Sequence, residues 1–255
     1  MGSYNPYVLQ MAQWYRRPDD VLEVLGYAIA VVGYCLEKNI CDDRRKIEQA
    51  LREPGGLAES GFFAGNTDAL RELGARVEKL FKARLGSLLL NDMRRLGLLK
   101  VYRVGGGSVL RPVRADDAGW PQGALVRPGP LMPACRRALE ACIARAHEPR
   151  LCFRLAGALA LVLFAWFDRG SRAMHEVLRR LLGGGDQAVE ELASALAGGL
   201  GADSRVIEQK LRGMLVLFSR ALDLVEEASR GPLRGVVPVY YLPLRRKALA
   251  EGGAV

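Results

Sequence analysis

The chain has 255 residues, half of them hydrophobic, with 37 Lys and Arg against 28 Asp and Glu. That is long enough for one large domain or two small ones, and a mean hydropathy near zero excludes a disordered tail. The positive excess, with a pI of about 9.6, is carried mostly by Arg (30 of the 37), which fits a GC-rich genome, a hot habitat, or both.

The first residues, 1–18, read as an arm that mixes aromatics with Arg ("SYNPYVLQMAQWYRR"). Pro18, Asp19 and Asp20 suit a helix start, and the helix from Val21 to about Lys38 is apolar nearly all round, which predicts a central position in the core. A second helix spans about Asp42 to Arg52, and "EPGGLAESGFFAGN" reads as a loop. From Asp68 to Leu96 the helical phase breaks. Leu70, Leu73, Val77, Leu80 and Phe81 share one stripe, while Leu85, Leu88, Leu89, Met93 and Leu96 share another, rotated by roughly a quarter turn. A break near Lys82–Gly86 reconciles them. After Gly97, a good residue for ending a helix, "LLKVYRV" and "SVLRPV" alternate around Gly105–Gly107 and predict a β-hairpin.

Helix, turn, helix, hairpin is the order of a winged helix, and "LLLNDMRRLGLLKVYRV" is similar to the junction of recognition helix and wing in the winged helix-turn-helix superfamily. The resemblance covers residues 19–114 and implies a nucleic-acid-binding or assembly module. The segment 115–133, rich in Gly and Pro, reads as a linker. Residues 134–230 read as a helical bundle for interaction, with helices at about 134–147, 150–168, 171–182, 186–198 and 203–229, and 231–255 as a tail. The expected fold is therefore mainly α: a winged helix-turn-helix with a small β-hairpin wing, then a C-terminal helical domain.

Residues 76–114 carry 10 positive and 2 negative side chains, a footprint suited to a phosphate backbone or to a solvated Arg-rich surface. Arg84, Ser87, Asn91, Arg94 and Arg95 are expected on the exposed side of the second helix of the pair. There Arg and Asn can pair bidentately with base edges in a major groove. Lys100, Arg103 and Arg111 in the wing are expected to reach phosphates.

Other constellations carry less chemistry. "GGGS" at 105–108 lacks phosphate-loop spacing and reads as a hairpin turn. Cys135 and Cys142 are seven apart on one helix, about 10 Å along its axis, too far to share a metal. With Cys152 they read as buried small hydrophobes, and thiols are expected to be mostly reduced, a disulfide between Cys35 and Cys41 staying open. His147 and His175 lie in no nucleophile or metal motif, so no catalytic residue, metal or cofactor is expected. The longest apolar runs, 24–36 and 155–167, fall short of the roughly twenty residues that span a bilayer. No secretory signal is seen, and the expected location is cytoplasmic.

The expected function is non-enzymatic binding of nucleic acid, double-stranded DNA favoured and DNA favoured over RNA, as a regulator or DNA-handling factor that uses the recognition helix and the basic wing. The C-terminal helices would form a homodimer or hold a protein partner. The alternative is an interaction or scaffolding subunit of a multi-subunit complex, whose winged helix docks on protein.

Overall fold

The computed structural model describes residues 17–60, 63, 67–104, 110–113, 120–146, 148–167, 172–201, 203–231 and 234–235. These residues form nine helices and one antiparallel sheet: α1 (Pro18–Glu37), α2 (Arg44–Arg52), α3 (Gly55–Glu59), α4 (Thr67–Lys82), α5 (Gly86–Arg95), β1 (Leu99–Val104), β2 (Leu110–Pro112), β3 (Leu125–Pro128), α6 (Met132–Ala146), α7 (Pro149–Phe167), α8 (Arg172–Leu200) and α9 (Ser204–Arg230). The protein is mainly helical, with a small sheet after the early helices. Residues 1–16 of the expected arm, the hairpin tip at Gly105–Gly107, His147 and the tail from 236 onward lie outside the described residues, and Pro18, expected in the arm, opens α1.

Helix α1 is the axis of the molecule. Pro18 supplies a first-turn φ at no hydrogen-bond cost, and Asp19 and Asp20 sit in the first turn where the helix dipole favours anions. From Val21 to Val32 every residue is buried, as an all-round apolar sequence requires. Its main neighbour is α7, and two glycines set how close the helices come. A Cβ on Gly26 would lie 1.8 Å from the Phe153 carbonyl oxygen, and one on Gly157 would lie 2.1 Å from the Leu22 oxygen. Each glycine thus admits the other helix's backbone, one turn from the residue that the opposite glycine admits.

Helix α2 is capped by Asp43, whose carboxylate accepts the Lys46 backbone N–H at 3.0 Å. Tyr27 on α1 donates its hydroxyl proton to the Leu51 carbonyl at 2.9 Å, tying α2 to the core. Burial raises the Tyr27 phenol well above its ordinary range. The expected break near Lys82–Gly86 is there: α4 ends at Lys82 and α5 starts at Gly86. Arg84 stands in the turn with a left-handed φ of 61°. Gly97 ends α5 with φ 71°, and the Leu98 N–H closes back on the Met93 carbonyl at 2.9 Å.

Two expectations about the middle of the chain are corrected. The loop expected at 54–67 contains α3, and the linker expected at 115–133 contributes β3 and the start of α6. β3 completes a sheet of order β2-β1-β3, and its Val126 N–H also reaches the Asp42 carbonyl at 2.6 Å. The helices expected at 171–182 and 186–198 both lie within α8, separated as expected by a non-helical kink at Gly185 (φ 57°, ψ −134°). Helix α9, capped by Asp203, buries Ile207, Leu211, Met214, Phe218 and Val225 along one stripe, with Leu215 and Leu222 half-buried beside them. One buried cluster runs from Val21 to Val225, so the stretches 19–114 and 134–230 share a core.

Ion pairs reinforce that union. Glu23 of α1, 1% exposed, accepts from Arg154 Nη2 of α7 at 3.1 Å and lies 3.6 Å from Arg150 Nε. Arg150 also binds Glu72 of α4, and Arg220 of α9 grips Asp19 in a bidentate pair at 2.6 and 3.1 Å. The Arg220 hydrogen bonds hold the Asp19 carboxyl below the usual carboxylate range, and Arg150 does the same for Glu72.

The expectation of reduced thiols is overturned for Cys142 and Cys152, and the question left open for Cys35 and Cys41 is answered by a disulfide. Cys35 pairs with Cys41 and Cys142 with Cys152, their Cα atoms 5.4 and 5.5 Å apart. The second bond follows from topology. α6 and α7 are joined by two residues, which brings the last turn of one helix against the first turn of the other. Cys135 is a buried free thiol.

Candidate nucleic-acid interface

The structure distributes the eight expected contact residues unevenly. On α5 the exposed face is missing: no residue from Gly86 to Arg95 is fully exposed. Ser87, Asn91 and Arg95 are half-buried, and Arg94 is 4% exposed. Asn91 is already engaged, its side-chain oxygen accepting the Trp120 indole N–H at 2.9 Å. The expectation that Ser87, Asn91, Arg94 and Arg95 lie on an exposed face is corrected on that ground. An α-helix enters a major groove through an exposed side, and this one has α4 on one side and β1 on the other. Arg84 alone of the five is exposed, in the turn before the helix.

The sheet behaves differently. In β1, Leu99 and Val101 are buried and Lys100 is exposed, so Lys100, Tyr102 and Val104 share the face turned from the core. Register sets what stands beside them. Lys100 lies opposite Arg127 and Tyr102 opposite Leu125 on β3, while Tyr102 lies opposite Pro112 and Val104 opposite Leu110 on β2. On the other face, toward the wing tip, Arg103 lies opposite Arg111. All four cations are exposed.

Like charges directly opposite on neighbouring strands destabilise a sheet. Here there are two such pairs, and the three strands contain no Asp or Glu. Among the described residues no carboxylate makes an ion pair with Lys100, Arg103, Arg111 or Arg127. Asp42 feels Arg127, but its carboxyl is lowered first by the hydrogen bond from Lys46, at 2.8 Å, and least by Arg127. The sheet therefore carries one opposed cation pair on each face, held by backbone register.

Arg127 and Trp120 escaped the sequence reading because both fall in the supposed linker. A signal for β3 was present: "VLRP" at 109–112 and "LVRP" at 125–128 nearly repeat. Each ends an edge strand in Arg-Pro, a pattern suited to an edge because proline has no N–H to leave unpaired.

Elsewhere the described residues offer little for chemistry. No group of three or more His, Cys, Asp or Glu side chains is placed to hold a metal ion, and no helix is long and apolar enough to cross a membrane. Two shallow hollows of about 190 and 260 Å³ flank Tyr34 and Leu57. In the smaller one, Glu37, Arg136 and Glu140 are tied up in ion pairs, and Lys38 is the remaining charged group of its lining.

No protein family, curated protein or solved structure matches the chain.

Proposed function

We propose that this is a non-enzymatic nucleic-acid-binding protein whose contact surface is the β2-β1-β3 sheet. The opposed cation pair Lys100–Arg127 on the outer face carries the reading, with Arg103–Arg111 on the opposite face. The repulsion between Lys100 and Arg127 goes uncompensated within the sheet, and a polyanion lying across the outer face would relieve it. In this reading α4, the turn around Arg84, α5 and the β1–β2 hairpin form a winged helix-turn-helix in which the wing does the binding. Affinity then comes from phosphate contacts and little from base readout. α6 to α9 brace that module through the shared core, and their outer faces are where a second copy or a partner would sit. The site of action is intracellular. Disulfides there accord with the hot habitat that an Arg-rich composition fits.

The test is a titration of fluorescein-labelled oligonucleotides, followed by anisotropy at roughly 50 and 200 mM salt, the range over which phosphate contacts lose most of their strength. Wild type should bind, and more weakly at high salt. A variant combining Lys100→Ala and Arg127→Ala should bind more weakly and lose about 2 units of the slope of log affinity against log salt. Equal affinity and slope in wild type and variant would refute the sheet as the interface.

A second reading, a scaffolding subunit that docks on protein, is favoured by one observation: the helix that would enter a groove has no exposed residue. Absence of salt-sensitive binding to any oligonucleotide would select it.

A further inference from the structure

We infer that the outer face of the sheet takes single-stranded nucleic acid, with a base laid on the ring of Tyr102. This rests on the nucleic-acid reading above and names the form of the ligand. Tyr102 is half-buried on β1, on the face turned from the core. It stands two residues from Lys100 and two from Val104, about 7 Å either way at the rise of a strand. Its cross-strand neighbours are Pro112 on one side and Leu125 on the other. The face therefore has two ends: the Lys100–Arg127 pair at one, and Val104, 50% exposed, beside Leu110, 43% exposed, at the other.

An aromatic ring at the centre of an exposed sheet, cations at one end and exposed aliphatic groups at the other, is the composition of a stacking platform. Cations take the phosphate, the ring takes the flat face of a base, and Val104 and Leu110 cover the apolar faces of the next sugar or base. A duplex cannot use this arrangement, because its bases are already stacked on one another and offer only their edges. Edge reading from α5 is closed as well, since Asn91 is held by Trp120 and Arg94 is buried. What remains open on this surface is a ligand with free base faces.

The experiment uses the full chain with a labelled mixed-sequence 12-nucleotide single strand and the duplex of the same sequence, at one moderate salt concentration. Wild type should bind the single strand more tightly than the duplex. Tyr102→Leu, which keeps bulk and loses the aromatic face, should weaken the single strand by at least about fivefold, since stacking on an aromatic contributes that much or more per base. Duplex affinity should change much less. Tyr102→Phe should keep most of the single-strand affinity. Thermal melting of each variant shows that the sheet is intact. Photo-crosslinking of wild type to an iodouracil-containing single strand, read by mass spectrometry, should place the adduct on Tyr102 and needs no variant. If the duplex binds as tightly as the single strand, if Tyr102→Leu affects both alike, or if the adduct lies away from the sheet, the inference falls while the nucleic-acid reading stands. If neither form binds, both fall.

Discussion

Replacing Gly157 by alanine should destabilise the protein, although alanine is the better helix former. In an exposed helix the change would gain about 1 kcal/mol. Here the new Cβ would lie 2.1 Å from the Leu22 carbonyl oxygen, whereas carbon and carbonyl oxygen in contact rest about 3.3 Å apart. The obstructing atom is backbone in the middle of α1, so no rotamer change relieves it, and the helices must part by more than about 1 Å. A gap of that size forfeits a quarter to a half of the dispersion between facing side chains. Among them is the Tyr27–Phe153 ring pair, whose centroids are 6.1 Å apart. Overpacking costs roughly 1–3 kcal/mol and occasionally more, and an unyielding backbone contact belongs at the upper end. Net of propensity, the expected loss is about 2 kcal/mol. That corresponds to a melting temperature lower by roughly 4–8 °C for a chain of this size. Gly26→Ala should cost at least as much, since its Cβ would stand 1.8 Å from the Phe153 oxygen. One separation relieves both clashes, so the double variant should lose clearly less than the sum of the two singles. Urea denaturation followed by circular dichroism, with the disulfides intact, measures all three. A neutral or stabilising Gly157→Ala, or strict additivity, would mean that α1 and α7 do not cross this closely.

Acid should unfold the protein through the ion pairs around α1. The Asp19 and Glu72 carboxyls are held below their ordinary values of 3.8 and 4.5 by Arg220 and Arg150, so their contribution is complete above those values and lost as pH falls through the lower folded ones. Calorimetry should find a melting temperature that is flat from neutral pH to about pH 5 and falls below about pH 4, with Arg220→Ala shallower in that fall; an equally steep fall in the variant would remove Asp19 from the account. The denatured, unreduced chain should take up one equivalent of iodoacetamide, at Cys135, and all five cysteines should react after reduction. In the native protein Cys135 should resist, because burial pushes its thiol up to about 12. Changing Cys142 and Cys152 together to serine should cost about 2–3 kcal/mol through the short loop that their bond closes, and two or more reactive thiols in the unreduced chain would refute the pairing.

How far the sequence could be read depended on whether the signal was local. The break between α4 and α5 was legible because two leucine stripes disagree in phase, and that disagreement needs no knowledge of neighbours. Gly97 and the alternation of "LLKVYRV" were legible for the same reason. The surface of α5 was not. A helical wheel places Arg84, Asn91 and Arg94 opposite Leu85, Leu89 and Met93, but it does not say how many elements pack against the helix. Asp92 and Arg94 are buried because the helix is covered on more than one side. β3 stayed hidden because four residues between Gly and Pro carry too short an alternation. The partner that makes them a strand, β1, lies more than twenty residues upstream. Cys142 and Cys152 were weighed as helix residues and possible metal ligands, and the antiparallel turn that sets them face to face belongs to α6 and α7 together.

The central place of α1 has a consequence for how the chain is made. Its apolar sides are closed by α7, which ends about 130 residues later at Phe167. At roughly 5–20 residues per second of synthesis, some 7 to 26 seconds pass between the appearance of the helix and that of its main cover. During that interval a strongly apolar helix, with the α2–α5 segment beside it, must wait in a partly open state. The cationic sheet emerges in the same interval, ahead of the helices that brace it. A nascent chain stalled before α7 should therefore be held by chaperones or aggregate, and release after α9 should be the point at which the whole molecule locks.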